Sequence, residues 1–262
     1  MVEISSLEQY IEYTENIARK MDLYEGTTTH PWFRGQSNSK WKLLPKLFRK
    51  EWDPTLEREL YRDFKLRSTA YVNRIPSVNI EWLFIMQHYG MPTRLLDWTE
   101  SSLHALFFAV AGKDADCDSC VWVLDPWSLN KCTMGVQTIP SSAVAIFDDY
   151  VLHIETEPFV RKVKGKLPVA LRPLQNNPRL IAQKGTFTVF GSNDLPLDIY
   201  VKSAAARKDP IKLERIIINK LHKKSILHQL ILSAISEAVL FPDLDRLSRD
   251  ISFRYSEFYM KK

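Results

Sequence analysis

The sequence predicts one mixed α+β domain, and three observations carry that reading. Short apolar runs of strand length are interleaved with longer runs at helical spacing. No internal repeat, low-complexity tract or linker divides the 262 residues, so 1–262 reads as a single unit. Apolar residues make up 45% and charged residues 26%, ordinary globular values that exclude disorder, collagen and coiled coil for the chain as a whole.

The elements follow in order. Residues 7–20 read as a helix, opened by a capping box of Ser5 with Glu8. A turn covers 24–30, and 31–35 form a short strand ending in a glycine turn. Residues 40–50 alternate basic and apolar side chains around Trp41, Leu43 and Leu44. A helix over 55–72 places Leu56, Leu60, Phe64 and Ala70 on its apolar side. Asn79 caps a helix over 80–89, and Gly90 is its C′ stop. Residues 91–99 read as an irregular loop before a nearly all-apolar, buried helix over 101–111. Strands are expected at 121–124, 169–171, 187–190 and 216–218. Residues 179–187 read as strand–turn–strand, and 239–241 as a short strand. Helices are expected over 224–236 and after Pro242.

Several chemistries are excluded at the motif level. The eight glycines include no G-x-G-x-x-G and no phosphate loop ending in Gly-Lys-Ser/Thr. Three cysteines, Cys117, Cys120 and Cys132, are too few for a disulfide framework, and they make a poor zinc set. Gly-x-Ser-x-Gly is absent. The N-terminus lacks the layout of a secretion signal, and the longest apolar run, 105–111, is far short of a bilayer span. A cytoplasmic, reduced protein without a membrane partner is therefore expected. A net charge of +5 permits a polyanionic partner.

Four clusters concentrate functional side chains. In Phe33-Arg34-Gly35-Gln36, an arginine on a strand end suits bidentate phosphate binding, and the glycine lets a ligand or backbone approach closely. The segment from Gln87 to Thr99 packs His88, Tyr89, Thr93, Arg94, Asp97 and Trp98 between two apolar helices, as a ligand-binding loop would. A scaffold role is the alternative, with Asp97 or Thr99 capping the next helix and Arg94 pairing with Asp97. Gln183 sits in the third cluster, for which a plain hairpin is the alternative. In the fourth, Asp243 and Asp245 complement a helix N-terminus, whereas Glu237 has no such structural reason. The basic stretches 161–166 and 220–228 read as solvated faces, or as a nucleic-acid footprint if they converge.

These motifs resemble the FRG domain, named for Phe33-Arg34-Gly35. The resemblance runs through Trp32 and Gln36, Trp41 to Arg49, Gln87 to Thr99, 105–109, Arg179, Gln183-x-Gly185-x-Phe187 and 240–245, and implies one such domain over 1–262. Arg246 stands where the family often has glycine. A second resemblance is to arginine-class ADP-ribosyltransferases, through an aromatic-Arg-Gly strand and a helix ending Phe107-Phe108-Ala109. The Ser-Thr-Ser and Glu-x-Glu strings of those enzymes are not present as such. This resemblance implies a split, mostly antiparallel sheet and NAD as substrate. It implies Arg34 on the pyrophosphate, with Gly35, Gln36, His88, Tyr89, Thr93, Arg94, Trp98 and Gln183 lining the site. Tyr89 or Trp98 would stack on nicotinamide, and Glu237 would be the catalytic carboxylate, with Asp97 and Asp243 as competitors. A role as toxin or anti-phage defence effector, an antitoxin partner and an RNA or DNA acceptor are further implications. The alternatives are a non-catalytic module that senses a ligand or binds nucleic acid, and a metal-free hydrolase of NAD or RNA.

Overall fold

The computed structural model describes residues 2–23, 30–72, 74–112, 114, 116–141, 167–175, 177–204 and 209–259. The basic stretch 161–166 and nearly all of the expected turn at 24–30 lie outside them. Seven strands form one sheet: β1 (Val2–Ile4), β2 (Trp32–Gln36), β3 (Leu95–Thr99), β4 (Ser119–Leu124), β5 (Val169–Leu171), β6 (Gly185–Val189) and β7 (Leu213–Ile218). Their order is β1-β7-β4-β2-β3-β6-β5. Among these seven strands only β1 and β7 pair in parallel, so the α+β class with a mostly antiparallel sheet is as expected.

The sheet is joined weakly at its middle. Strand β2 pairs with β4 along its whole length, from Trp32 against Leu124 to Gln36 against Cys120. Strand β3 pairs with β6 equally fully. Between β2 and β3 the register holds a single pair, Phe33 with Thr99. The sheet is thus continuous in order yet divided in substance into β1-β7-β4-β2 and β3-β6-β5.

Helices cover both faces. They are α1 (Leu7–Lys20), α2 (Glu57–Ser68), α3 (Asn79–His88), α4 (Ser102–Val110), α5 (Pro126–Met134), α6 (Pro178–Ala182), α7 (Leu197–Ala204), α8 (Lys223–Leu232), α9 (Glu237–Leu240) and α10 (Leu244–Tyr259). On one face, Phe33, Val121, Val123, Ile216 and Ile218 pack with Ala105, Leu106 and Ala109 of α4 and with α1 and α8. On the other, Trp32, Leu96, Trp98, Trp122 and Leu124 pack with α5 and α7. Tyr61 of α2 and Trp82, Leu83 and Met86 of α3 cover Leu95, Phe187 and Val189. Alternate residues of β2 and β4 face opposite cores, the period of two that a strand imposes.

Some expectations shift. The α1 cap is Ser6, which accepts from the Gln9 backbone N–H, and the Gln9 side chain returns to Ser5; Glu8 takes no part. Helix α2 starts at Glu57, after a 3-10 turn over Pro54–Leu56, and buries Tyr61 while Leu56 is exposed. Val78, not Asn79, precedes the first turn of α3, while Gly90 does stop it, at φ +79°. Residues 95–99 are a central strand, and Ser101, rather than Asp97 or Thr99, caps α4. Residues 179–182 belong to one short helix and 237–240 to another, so the strand expected at 239–241 is replaced by a helix that ends at Leu240. The stretch 220–228 is not wholly a solvated face. Lys223 is buried, and its Nζ donates to the carbonyls of Ser37, Asp114 and Cys117 at 3.2, 2.6 and 3.3 Å.

Candidate functional site

Gly35 is fixed by packing. A Cβ there would lie 1.9 Å from the Ala105 carbonyl oxygen and 2.7 Å from the Ala109 nitrogen, so the close approach it permits is that of α4. The strand therefore continues through Gly35 rather than turning. Gln36 is buried beside it, accepting from the Trp122 indole N–H at 2.9 Å.

Arg34, just before Gly35, bridges the two halves of the sheet. Its Nη1 donates to the backbone carbonyl of Asp97 at 2.6 Å and lies 3.6 Å from Oδ2 of the same residue. Its Nε is buried without a partner. Burial lowers the guanidinium pKa, and Asp97 opposes that. With a side-chain exposure of 15%, Arg34 braces Asp97, whose own side chain is 54% exposed. Gln87 Nε2 also donates to Asp97 Oδ2, at 2.9 Å.

Asp97 opens into a cleft of about 310 Å³ between α3, β3, β6 and α6. Phe187, its cross-strand partner, shares the floor and stacks on Phe84 at 4.9 Å between centroids. His88 and Tyr89 line it together with Arg179 and Gln183, and Arg179 Nη1 donates to the His88 carbonyl at 3.2 Å. Burial lowers the His88 pKa, and the Arg179 charge lowers it further. Burial also lowers the pKa of Arg179, while Asp97 raises it.

The fourth cluster reaches this rim. Gln183 Nε2 donates to the Leu240 carbonyl at 3.0 Å. Arg179 and Arg246 lie over the Phe241 ring, at 4.5 and 4.8 Å from its centroid. Asp243 acts electrostatically on both His88 and Arg179. Sequence segments far apart thus meet at one cleft, with Asp97 at its floor.

The remaining candidates lie elsewhere. Arg94 does not pair with Asp97. It is buried against Glu57 through Nε and Nη2, and its Nη1 donates to the Phe190 and Gly191 carbonyls. Thr93 is fully buried and donates to Gln87 Oε1. Trp98 is buried in the core, its indole N–H on Thr188 Oγ1 at 3.1 Å, which leaves Tyr89, 71% exposed, as the one of the two expected stacking residues that lines the cleft. Glu237 is ion-paired with Arg246 on the helical side of the rim and is not among the residues lining the cleft. Cys120 is buried, its thiol pushed up to about 12.

The match with known families falls on this ground. Residues 29–118 match the FRG domain family. Over that stretch the chain is similar to the FRG domain. The matched stretch supplies Arg34, Gln87, His88 and Asp97, whereas Arg179, Gln183 and Asp243 of the same rim lie beyond it. Neither the curated proteins nor the solved structures yielded a match. Among the described residues, no helix is long and apolar enough to cross a membrane, and no group of three or more His, Cys, Asp and Glu could hold a metal ion.

Among the cleft residues that escaped the sequence reading, Glu81 is the buried one that bears charge. It is 4% exposed and has an Oε1 without a hydrogen-bond partner. A single glutamate in the first turn of an apolar helix reads as ordinary dipole compensation, so the sequence offered no other signal.

Proposed function

We propose that the cleft binds a nucleotide and that the chain is an NAD-dependent mono-ADP-ribosyltransferase. The supporting observation is Asp97, a carboxylate on the floor of a half-apolar cleft, braced through Oδ2 by Gln87 and Arg34, with Arg179 close by. Breaking the nicotinamide glycosidic bond sends both electrons to the ring nitrogen and leaves an oxocarbenium-like sugar, which a nearby carboxylate stabilises. The acceptor's lone pair then closes on that carbon, and its proton passes to the carboxylate. Arg179, whose Nη1 is held on the His88 carbonyl, is the arginine nearest Asp97 on the cleft that can meet an anionic group of the substrate. Arg34 acts through Asp97 as a positioning residue. At about 310 Å³ the cleft fits the nicotinamide riboside half, with the rest of the dinucleotide beyond the rim. Asp97, rather than Glu237 in its ion pair, takes the carboxylate role.

The acceptor we propose is RNA or DNA. Lys40, Lys42, Lys46, Arg49 and Lys50 fall close together in the chain, Lys42 lying 3.6 Å from Asp198, and Trp41 among them is 47% exposed. Lys46 Nζ donates to the Gly90 carbonyl at 2.6 Å, which brings this basic strip beside Tyr89. Backbone charge neutralisation and base stacking both suit a single strand. Damage to cellular nucleic acid would fit a toxin or defence effector held in check by an antitoxin.

The test incubates purified protein with labelled NAD and, separately, RNA, DNA and cell extract. Label should move to nucleic acid, and Asp97→Asn should slow transfer by roughly a hundredfold or more. Absence of both NAD binding and turnover would sink the transferase and favour a non-catalytic ligand-sensing module.

A further inference from the structure

The transferase reading leaves Glu81 unused, although it is the one buried carboxylate on the cleft. Buried carboxylates elsewhere are satisfied. Glu57 is held by Arg94, Asp125 accepts from the Trp127 and Ser128 backbone N–H groups, and Asp198 accepts from that of Leu43. Glu81 Oε1 is shut away from water with no donor, a state that a bound donor would relieve. Arg74 lines the same cleft and forms no ion pair with it.

Helix geometry defines what such a donor must belong to. Glu81, Phe84, Ile85 and His88 fall at i, i+3, i+4 and i+7 and share one face of α3, all lining the cleft. At the helical rise per residue, Glu81 and His88 are roughly 10 Å apart along the axis. One end therefore holds an unsatisfied acceptor. The middle is walled by the stacked Phe84 and Phe187 rings. The far end gathers His88, Asp97 and Arg179. An N–H donor, a flat ring and an anion, in that order, match this sequence of walls.

We infer that Glu81 accepts a hydrogen bond from the N–H edge of a flat heteroaromatic base and thereby selects which nucleotide the cleft takes. The donor is a carboxamide or an exocyclic amine. The inference rests on the nucleotide reading of the cleft and is independent of NAD cleavage.

Isothermal titration of wild type, Glu81→Gln and Glu81→Leu with nicotinamide mononucleotide and with adenosine 5′-monophosphate tests it. The arm that binds wild type identifies the donor as carboxamide or amine. Glu81→Leu should weaken that binding roughly ten- to hundredfold, and Glu81→Gln, which keeps an acceptor oxygen, by less. Without ligand, Glu81→Leu should unfold at the same temperature as wild type or higher, since the unpartnered carboxylate is gone. Should the leucine variant fold poorly, the near-isosteric glutamine variant decides the matter. Unchanged affinity in both variants, or no binding of either nucleotide by wild type, would overturn the inference. NAD cleavage that persists unaltered in Glu81→Leu removes this role and leaves the transferase, whereas Glu81-dependent nucleotide binding without NAD cleavage does the reverse.

Discussion

At Arg94, just ahead of β3, a guanidinium is enclosed with Glu57, and its Nε, Nη1 and Nη2 all find acceptors. Three residues on, Asp97 meets Arg34 across the seam of the sheet, with the carboxylate half exposed and the Arg34 Nε left without a partner. Both are arginine–carboxylate pairs, drawn from the same short motif or its immediate partners. The saturated pair joins α2 to the end of the strand, whereas the unsaturated pair opens into a cleft. Hydrogen-bond saturation, not residue type, separates scaffold from site along this segment.

Breaking the saturated pair gives the largest expected effect. Arg94→Ala strands a buried Glu57 carboxylate and should cost about 3–5 kcal/mol in urea unfolding. The double variant Glu57→Leu/Arg94→Met should recover most of it. A single-variant loss below about 1 kcal/mol would show that the pair is not structural. Gly35→Ala comes next. Its Cβ would meet the α4 backbone at 1.9 Å, so a loss of about 1–3 kcal/mol is expected, read from the same unfolding curves. Trp98→Phe removes the indole donor to Thr188 and should cost about 1 kcal/mol without changing nucleotide affinity. A stronger effect on affinity than on stability would return Trp98 to the site. Asp97→Asn sits at the other extreme, with stability within about 0.5 kcal/mol of wild type, and a larger loss would make Asp97 a second scaffold residue.

Protonation sharpens the comparison further. Burial lowers the pKa of His104, on α4, below the usual 6.5. Below that value the unfolded chain takes up a proton that the folded ring resists. Stability is therefore full above 6.5 and falls as pH drops toward the folded pKa. His88 contributes in the same direction. The urea midpoint should decline between about pH 7 and pH 5, and His104→Gln should flatten that decline.

Much of the scaffold is legible in residue order. The apolar run of α4, the β-branched and apolar stretch of β5 and the stop at Gly90 each follow from a local rule. Strand β3 does not. Its residues are covered on both sides except at Asp97, so Leu-Leu-Asp-Trp-Thr shows no clean alternation. The run 238–241 is too short to tell strand from helix by periodicity. Within the site, the polar density from Gln87 to Thr99 pointed to the right neighbourhood. It could not separate Asp97, which faces the cleft, from Arg94, Thr93 and Trp98, which face the core. That distinction depends on Glu57, Gln87 and Thr188, and on a strand spacing that no local pattern encodes.

The parallel pairing of β1 with β7 has a bearing on biosynthesis. Val2 leaves the ribosome well before its partner Ile216, which lies at the other end of a long sequence separation. Strand β7 also fills the gap between β1 and β4, so the open side of β4 waits equally long. The sheet centre can form early, from β2 against β4, while two strand edges stay unpaired until β7 is synthesised. Such exposed edges are targets for chaperones and starting points for aggregation, and yield during expression should respond more to translation speed and temperature than the stability of the finished fold implies.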